Sequence, residues 1–132
     1  MSSRIQLEIV TPDELVFSGE VDQVTVPGAD GYLGILPGHA ALLSALKPGV
    51  IRYNDGGNAH LLFCSSGFVE VLPEQVSVLA VRALGPDEID VADARQQRSQ
   101  AEESFRSSPG AYEETMKSWE EAVARLEAAG AA

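Results

Sequence analysis

The stretch that most restricts how this chain can fold is PGADGYLGILPGHAA, residues 27–41, where glycine and proline recur too often for a helix to form. Pro27, Gly28, Gly31, Gly34 and Pro37, with Gly38 beside them, force tight turns, because glycine reaches positive φ and proline fixes φ near its turn value. Large apolar side chains are confined to Tyr32, Leu33, Ile35 and Leu36. Turn chemistry alone fits an ordinary irregular connection equally well, so the meaning of this stretch depends on its flanks.

Composition changes sharply at Gly85-Pro86. Before it, glycine, proline and β-branched residues dominate; after it come Ala, Glu, Gln and Arg at helical spacing. This predicts a β domain over residues 1–85 and a helical unit over residues 86–132. In the first part Ile5, Leu7 and Ile9 alternate with Gln6 and Glu8, the period of a strand with one buried face. Phe17, Gly19 and Val21 share one parity and Val24 and Val26 the other, so a bulge near Asp22-Gln23 is needed if all are to point inward. Lys47-Pro48-Gly49 turns the chain into Val50-Ile51-Arg52-Tyr53, Asn54 to Asn58 reads as a hairpin tip, and Pro73-Glu74-Gln75 separates two further apolar runs. Eight to ten short strands with frequent turns predict an antiparallel β-sandwich or flattened barrel.

In the second part Asp90 is the N-cap candidate of a first helix ending near Phe105, its carboxylate accepting from the amide of Asp93. Ser107-Ser108-Pro109-Gly110 breaks that helix, with Ser108 predicted to cap a second helix and Pro109 to open it. Tyr112, Met116, Trp119, Val123 and Leu126 form a seam on the second helix, facing Val91, Ala94, Arg98, Ala101 and Phe105 on the first. The expected product is an antiparallel helix hairpin. With two alanines and an arginine stem among its five positions, the first helix adds little burial, and the pair reads either as a terminal element packed on the sheet or as a movable arm.

A formal charge of −11 argues against nucleic acid and anionic lipid and leaves basic protein surfaces as natural partners. No apolar run of eighteen residues and no signal-peptide core are present, and the single cysteine, Cys64, cannot pair within the chain; these features predict a soluble, unexported protein. No catalytic constellation is found. His39 and His60 are not spaced from Cys64 or any acid like a metal-ligand set, Ser65-Ser66-Gly67 lacks the spacing of a nucleophile elbow, and Gly28 and Gly31 do not open a helix that could cradle phosphate.

The order of strand sandwich then helix hairpin, together with Gly31, Gly34-Ile35-Leu36-Pro37-Gly38-His39-Ala40, Leu42-Leu43, Leu46 and Lys47-Pro48-Gly49, closely resembles the epsilon-subunit family of the bacterial F-type ATP synthase. Val16-Phe17-Ser18-Gly19 and Gly67-Phe68-Val69-Glu70-Val71 also look like that family, and the likeness spans essentially the whole chain. The resemblance implies a non-catalytic subunit of the rotating central stalk, peripheral on the cytoplasmic face of the cell membrane without lipid insertion, coupling ion flow to ATP synthesis. Its sandwich would dock on the gamma subunit and its loops on the c-ring: Asp30, Gly31 and Tyr32 match the loop that meets the c-ring, and Gly38, His39 and Ala40 the segment near gamma and the ring. The family's hairpin either folds onto the sandwich or extends beside gamma, transiently meeting the alpha/beta catalytic hexamer and blocking ATP hydrolysis.

Some members bind ATP through a motif of Ile or Leu, Asp, two variable residues, Arg and Ala. Ile89, Asp90 and Ala94 match it here, but Asp93 stands at the arginine position, where a carboxylate repels phosphate, and Arg95 lies on another helix face. No cofactor is therefore expected, with ATP binding at Ile89, Asp90 and Ala94 kept as the less favoured alternative. Inhibition is disfavoured as well, since Glu113, Glu114, Glu120, Glu121 and Glu127 outnumber Lys117 and Arg125 on the second helix and would be repelled by acidic segments of the catalytic subunits. Two other readings are a free-standing adaptor, which would purify away from membranes and the ATPase, and an ATP-sensing module, which calorimetry with and without magnesium would reveal.

Overall fold

The computed structural model describes residues 4–131. Its strands are β1 (Ile5–Val10), β2 (Leu15–Val21), β3 (Gln23–Gly28), β4 (Gly31–Ile35), β5 (Leu42–Leu46), β6 (Gly49–Asp55), β7 (Asn58–Cys64), β8 (Gly67–Val71), β9 (Gln75–Ala80) and β10 (Ala83–Leu84). They run in the order β10-β7-β6-β3-β5-β8-β9-β1-β2, with β4 on the other edge of β3. The sheet folds over on itself as the sandwich or flattened barrel expected from the turn spacing, and Phe17 of β2 meets Tyr53 of β6 with ring centroids 4.5 Å apart. One pairing departs from the antiparallel pattern: β1 lies parallel to β9, from Gln6↔Gln75 to Val10↔Leu79. The intervening chain passes through the whole sandwich, so no tight crossover is needed, and β1 is paired on both edges.

The parity change between Val21 and Val24 is real, but its device differs from an internal bulge. Asp22 separates β2 from β3, and the chain stops pairing with β1 and starts pairing with β4 and β6. The Asp22 amide donates to the Asn54 carbonyl at 2.8 Å, which holds the corner. A register shift within a ladder does occur, one strand earlier, between Ile9 and Val10. Alternating residues on either side of these irregularities point inward: Ile5, Leu7, Ile9, Val21, Val24, Val26, Val69, Val71, Val76 and Val78 are buried in one core.

Two helices follow, α1 (Val91–Ser107) and α2 (Tyr112–Ala128). Asp90 caps α1 as expected, accepting from the Asp93 amide at 3.0 Å. The expected cap and opening of α2 are not found. Ser108 ends α1 and makes no side-chain cap bond, while Pro109 opens a 3-10 turn, Pro109–Ala111, before α2 starts at Tyr112. The tighter 3-10 winding reverses the chain in fewer residues than an α-turn.

α2 rests on β6 and β7, with α1 packed against it. This position changes the expected seam: Leu126 is buried, Met116, Trp119 and Val123 are half-buried, and Tyr112 is exposed. Burial goes instead to Thr115, Ala122, Ala124, Arg125 and Ala128, because α2 has two neighbours and needs two contact faces. On α1 the buried positions are Ala94 and Ala101, within the expected stripe.

Candidate functional site

The tight turns singled out in the sequence form two separate surface features, at opposite ends of the short strand β4. At one end Asp30 is exposed in the β3–β4 turn, and Gly31 takes a φ of 138°, a backbone region that side chains rarely enter. The Ala29 amide donates to the Ala45 carbonyl at 2.9 Å, tying this turn to the Leu46 end of β5. Tyr32 follows, half-exposed, and its hydroxyl accepts the Val50 amide at 3.0 Å. β3 pairs with β6 only from Gln23↔Asn54 to Thr25↔Arg52, so at Val50 the phenol replaces a missing neighbouring strand. Tyr32 also lines a cleft with Lys47, Gly49, Trp119, Glu120 and Val123, so it lies where the hairpin meets the sheet.

At the other end of β4, Gly38 has a φ of 86° and its amide donates to the Pro73 carbonyl at 2.7 Å, fixing this loop to the β8–β9 turn. The His39 amide donates to the Leu36 carbonyl at 3.2 Å, and its ring Nδ1 sits 2.8 Å from the Ala40 carbonyl oxygen. Asp30, Gly31 and Tyr32 thus flank one end of β5, and Gly38, His39 and Ala40 the other; the fold does not gather the two sets into one patch.

Between them lies a surface that the sequence reading missed. On the outward face of β5, β8 and β9, Ala45, Phe68 and Leu79 are directly paired across the strands. Phe68 is 56%, Leu79 57%, Val81 65% and Leu43 71% exposed. An apolar groove of about 330 Å³ runs here, lined by Val10, Pro12, Phe68, Leu79 and Val81. The signal was present in the sequence: Leu43, Phe68 and Leu79 occupy the parity that should be polar in a half-buried strand. Exposed apolar side chains clustered in this way are the raw material of an interaction site.

The opposite flank is already covered. Val50 of β6 and Phe63 of β7 point outward and are buried beneath Ile89, Ala124 and Ala128. At the rim Lys47 Nζ pairs with Glu120 at 3.5 Å. The residues matching a nucleotide motif have structural roles here: Ile89 is buried against the sheet, Asp90 caps α1, and Ala94 is buried within the hairpin. Asp93 holds Arg125 of α2 in an ion pair of 2.9 Å.

His60 is exposed and stacks on Tyr53 with ring centroids 5.0 Å apart. Cys64 is fully buried, and burial pushes its thiol pKa up to about 11, which keeps it protonated and unreactive. Among the described residues no group of three His, Cys, Asp or Glu could hold a metal, and no helix is long and apolar enough to cross a membrane.

Comparison with known proteins adds to this geometry. Residues 4–86 match the family model described as ATP synthase, Delta/Epsilon chain, beta-sandwich domain, and residues 87–130 the one described as ATP synthase, Delta/Epsilon chain, long alpha-helix domain. The ATP synthase epsilon chain of Syntrophobacter fumaroxidans is 41% identical over 131 residues, covering 98% of both chains. That of Koribacter versatilis is 45% identical over 108 residues, 82% of this chain and 76% of its own length. A chain in the cryo-EM structure of Euglena gracilis mitochondrial ATP synthase, OSCP/F1/c-ring in rotational state 1, superposes with a TM-score of 0.75 at 23% identity, covering 99% of this chain and 80% of that one, a likeness of fold.

Proposed function

The chain belongs to the delta/epsilon family of ATP synthase subunits, and from that premise we propose that it is a non-catalytic clamp in the central stalk, joining the gamma subunit to the c-ring so that ion flow drives ATP synthesis. The observation that carries this reading is the uncovered apolar face of Leu43, Phe68, Leu79 and Val81 on a sheet whose opposite flank is already occupied by the hairpin. We assign that face to gamma. The loop at Gly38, His39 and Ala40 borders it through Pro73 and extends the gamma contact, while the turn at Asp30 and Gly31 is assigned to the polar loops of the c-ring.

Torque transfer asks for stiffness rather than chemistry. The turn at Asp30 is tied by a backbone hydrogen bond to β5 and the loop at Gly38 to the β8–β9 turn, which limits their motion. The complex would hold the chain peripherally at the cytoplasmic face of the membrane. The test is reconstitution of the full-length Phe68→Asp/Leu79→Asp variant with gamma. Loss of co-purification with an unchanged melting temperature is expected; wild-type binding by the doubly charged face would refute the assignment.

The hairpin supports a second, regulatory reading. α2 lands on Val50 and Phe63 through the small side chains of Ala124, Ala128 and Ala129, with the Lys47–Glu120 pair at the rim, and such a contact is one a partner could compete for. If the hairpin restrains ATP hydrolysis, deleting residues 86–132 raises the ATPase rate of the assembled complex; an unchanged rate dismisses that role.

A further inference from the structure

Helix hairpins of this size are normally closed by apolar side chains, but this one carries a charge inside. Arg125, near the end of α2, is only 7% exposed. Its guanidinium crosses to α1, where Nη2 meets Asp93 Oδ2 at 2.9 Å and the Asp90 carbonyl at 3.4 Å, and Nη1 donates to Gln97 Oε1 at 2.9 Å. Gln97 returns the connection to α2, its Nε2 donating to the carbonyl and hydroxyl oxygens of Ser118 at 3.1 and 3.2 Å. The Arg125 Nε is buried without a hydrogen-bond partner. A buried cation is costly unless an anion faces it, and here the anion is Asp93, at the exposed rim of the cluster.

From this geometry we infer that Asp93 is a built-in anion and Arg125 its clasp: the hairpin is held closed by its own carboxylate, and the opening of α1 from α2 is governed by this pair rather than by a bound ligand. Leu126 is fully buried in the hairpin, but Ala94, Ala101 and Ala122 add little apolar area beside it, so the polar crossing weighs in how readily the helices part. A phosphate approaching Arg125 would meet the Asp93 carboxylate and have to displace it. The clasp is a property of the isolated chain, independent of the rotor assignment.

Amide hydrogen exchange on the full-length chain tests it. Trp119, the sole tryptophan, gives an independent optical signal, since its indole N–H donates to Glu102 of α1 at 3.2 Å. At low salt Asp93→Asn should speed exchange along α1 by about three- to tenfold, with Trp119 emission shifting and the sandwich amides unchanged. High salt should bring wild type toward the variant. In an Arg125→Met background Asp93→Asn should have no further effect, which separates pairing from any interaction of Asp93 with the helix dipole. Should Arg125→Met leave the hairpin open altogether, Asp93→Arg in the otherwise natural chain serves instead and should open it more than Asp93→Asn does. Exchange within about twofold of wild type for Asp93→Asn, or wild-type protection in Asp93→Arg, overturns the clasp. Slowed exchange of wild-type α1 on adding ATP or inorganic phosphate overturns the claim that no ligand is needed.

Discussion

Replacing Tyr32 by phenylalanine removes a single oxygen from the surface, yet the fold makes that oxygen part of the sheet. Val50 is 4% exposed and its amide points away from β7, toward the place where β3 has turned off to meet β5 at Gly28↔Leu46. Without the hydroxyl the amide loses its acceptor in a partly buried site, which costs about 1–3 kcal/mol. The neighbouring cleft lined by Lys47 and Trp119 is open enough for water to reach the site, so the low end of that range applies, about 1–1.5 kcal/mol. For a chain of this size that is a loss of about 3–5 °C in melting temperature.

Gly49 sets the scale for comparison. A Cβ there would stand 2.8 Å from the Tyr32 hydroxyl and overlap the Pro27 ring, so Gly49→Ala forces β6 away from β3 and should cost about 2–4 kcal/mol. Urea unfolding of wild type, Tyr32→Phe, Gly49→Ala and the exposed control Tyr112→Phe measures all four. The control should stay within about 0.5 kcal/mol of wild type. If Tyr32→Phe is as stable as wild type and Gly49→Ala is tolerated, the phenol is not standing in for a strand and the junction is looser than described.

Other outcomes follow from single sites. Cys64 should resist alkylation in the native state at pH 8 and react on unfolding; its folded pKa of about 11 against 9.0 unfolded means that the folded state holds the proton longer, so this group's contribution is complete below pH 9 and is lost as pH rises toward 11, seen as a falling urea midpoint. Gly38→Ala has free space for its Cβ but must adopt a φ of 86°, which should cost about 1–2 kcal/mol in chemical denaturation, whereas Gly34→Ala, with space and no positive φ, should be near neutral. Lys47→Ala breaks the partly exposed pair with Glu120 and should lower stability by less than about 1 kcal/mol, an effect that vanishes in high salt. Phe63→Ala, beneath α2 and fully buried, should cost about 3–5 kcal/mol, while Phe68→Ala in the isolated chain should cost well under 1 kcal/mol.

Much of the architecture was legible because local chemistry and tertiary packing agree. The alternation of Ile5, Leu7 and Ile9, the tip at Asp55-Gly56-Gly57 and the cap at Asp90 each appear where residue pattern puts them. The parity switch before Val24 was also legible, although parity alone cannot distinguish a bulge from a strand that changes partners. Long-range placement was not legible. Nothing local in Gln6 to Val10 says that it will lie parallel to β9, and the seam assigned to α2 assumed one neighbour where the fold provides two. Tyr32, read as a loop residue, turns out to bridge loop, sheet and hairpin, a role set by where β3 and β6 diverge.

The outward-facing residues carry the functional division of the molecule. A strand with one face in a core and one in water alternates apolar with polar, so each large apolar side chain of the wrong parity needs a cover. Val50 and Phe63 have theirs, since α2 lies over them. Leu43, Phe68 and Leu79 have none within the described chain, although their inward neighbours Val69 and Val78 are as fully buried as any residue in the core. The hairpin cannot serve both flanks at once, being anchored through Ile89 and the 3-10 turn Pro86–Glu88 beside β7. A second body must therefore cover β5, β8 and β9 for that apolar surface to leave water. On the proposed rotor reading, a stiff sandwich gripped on this face, with a tied turn at each end of β5, would transmit force between partners.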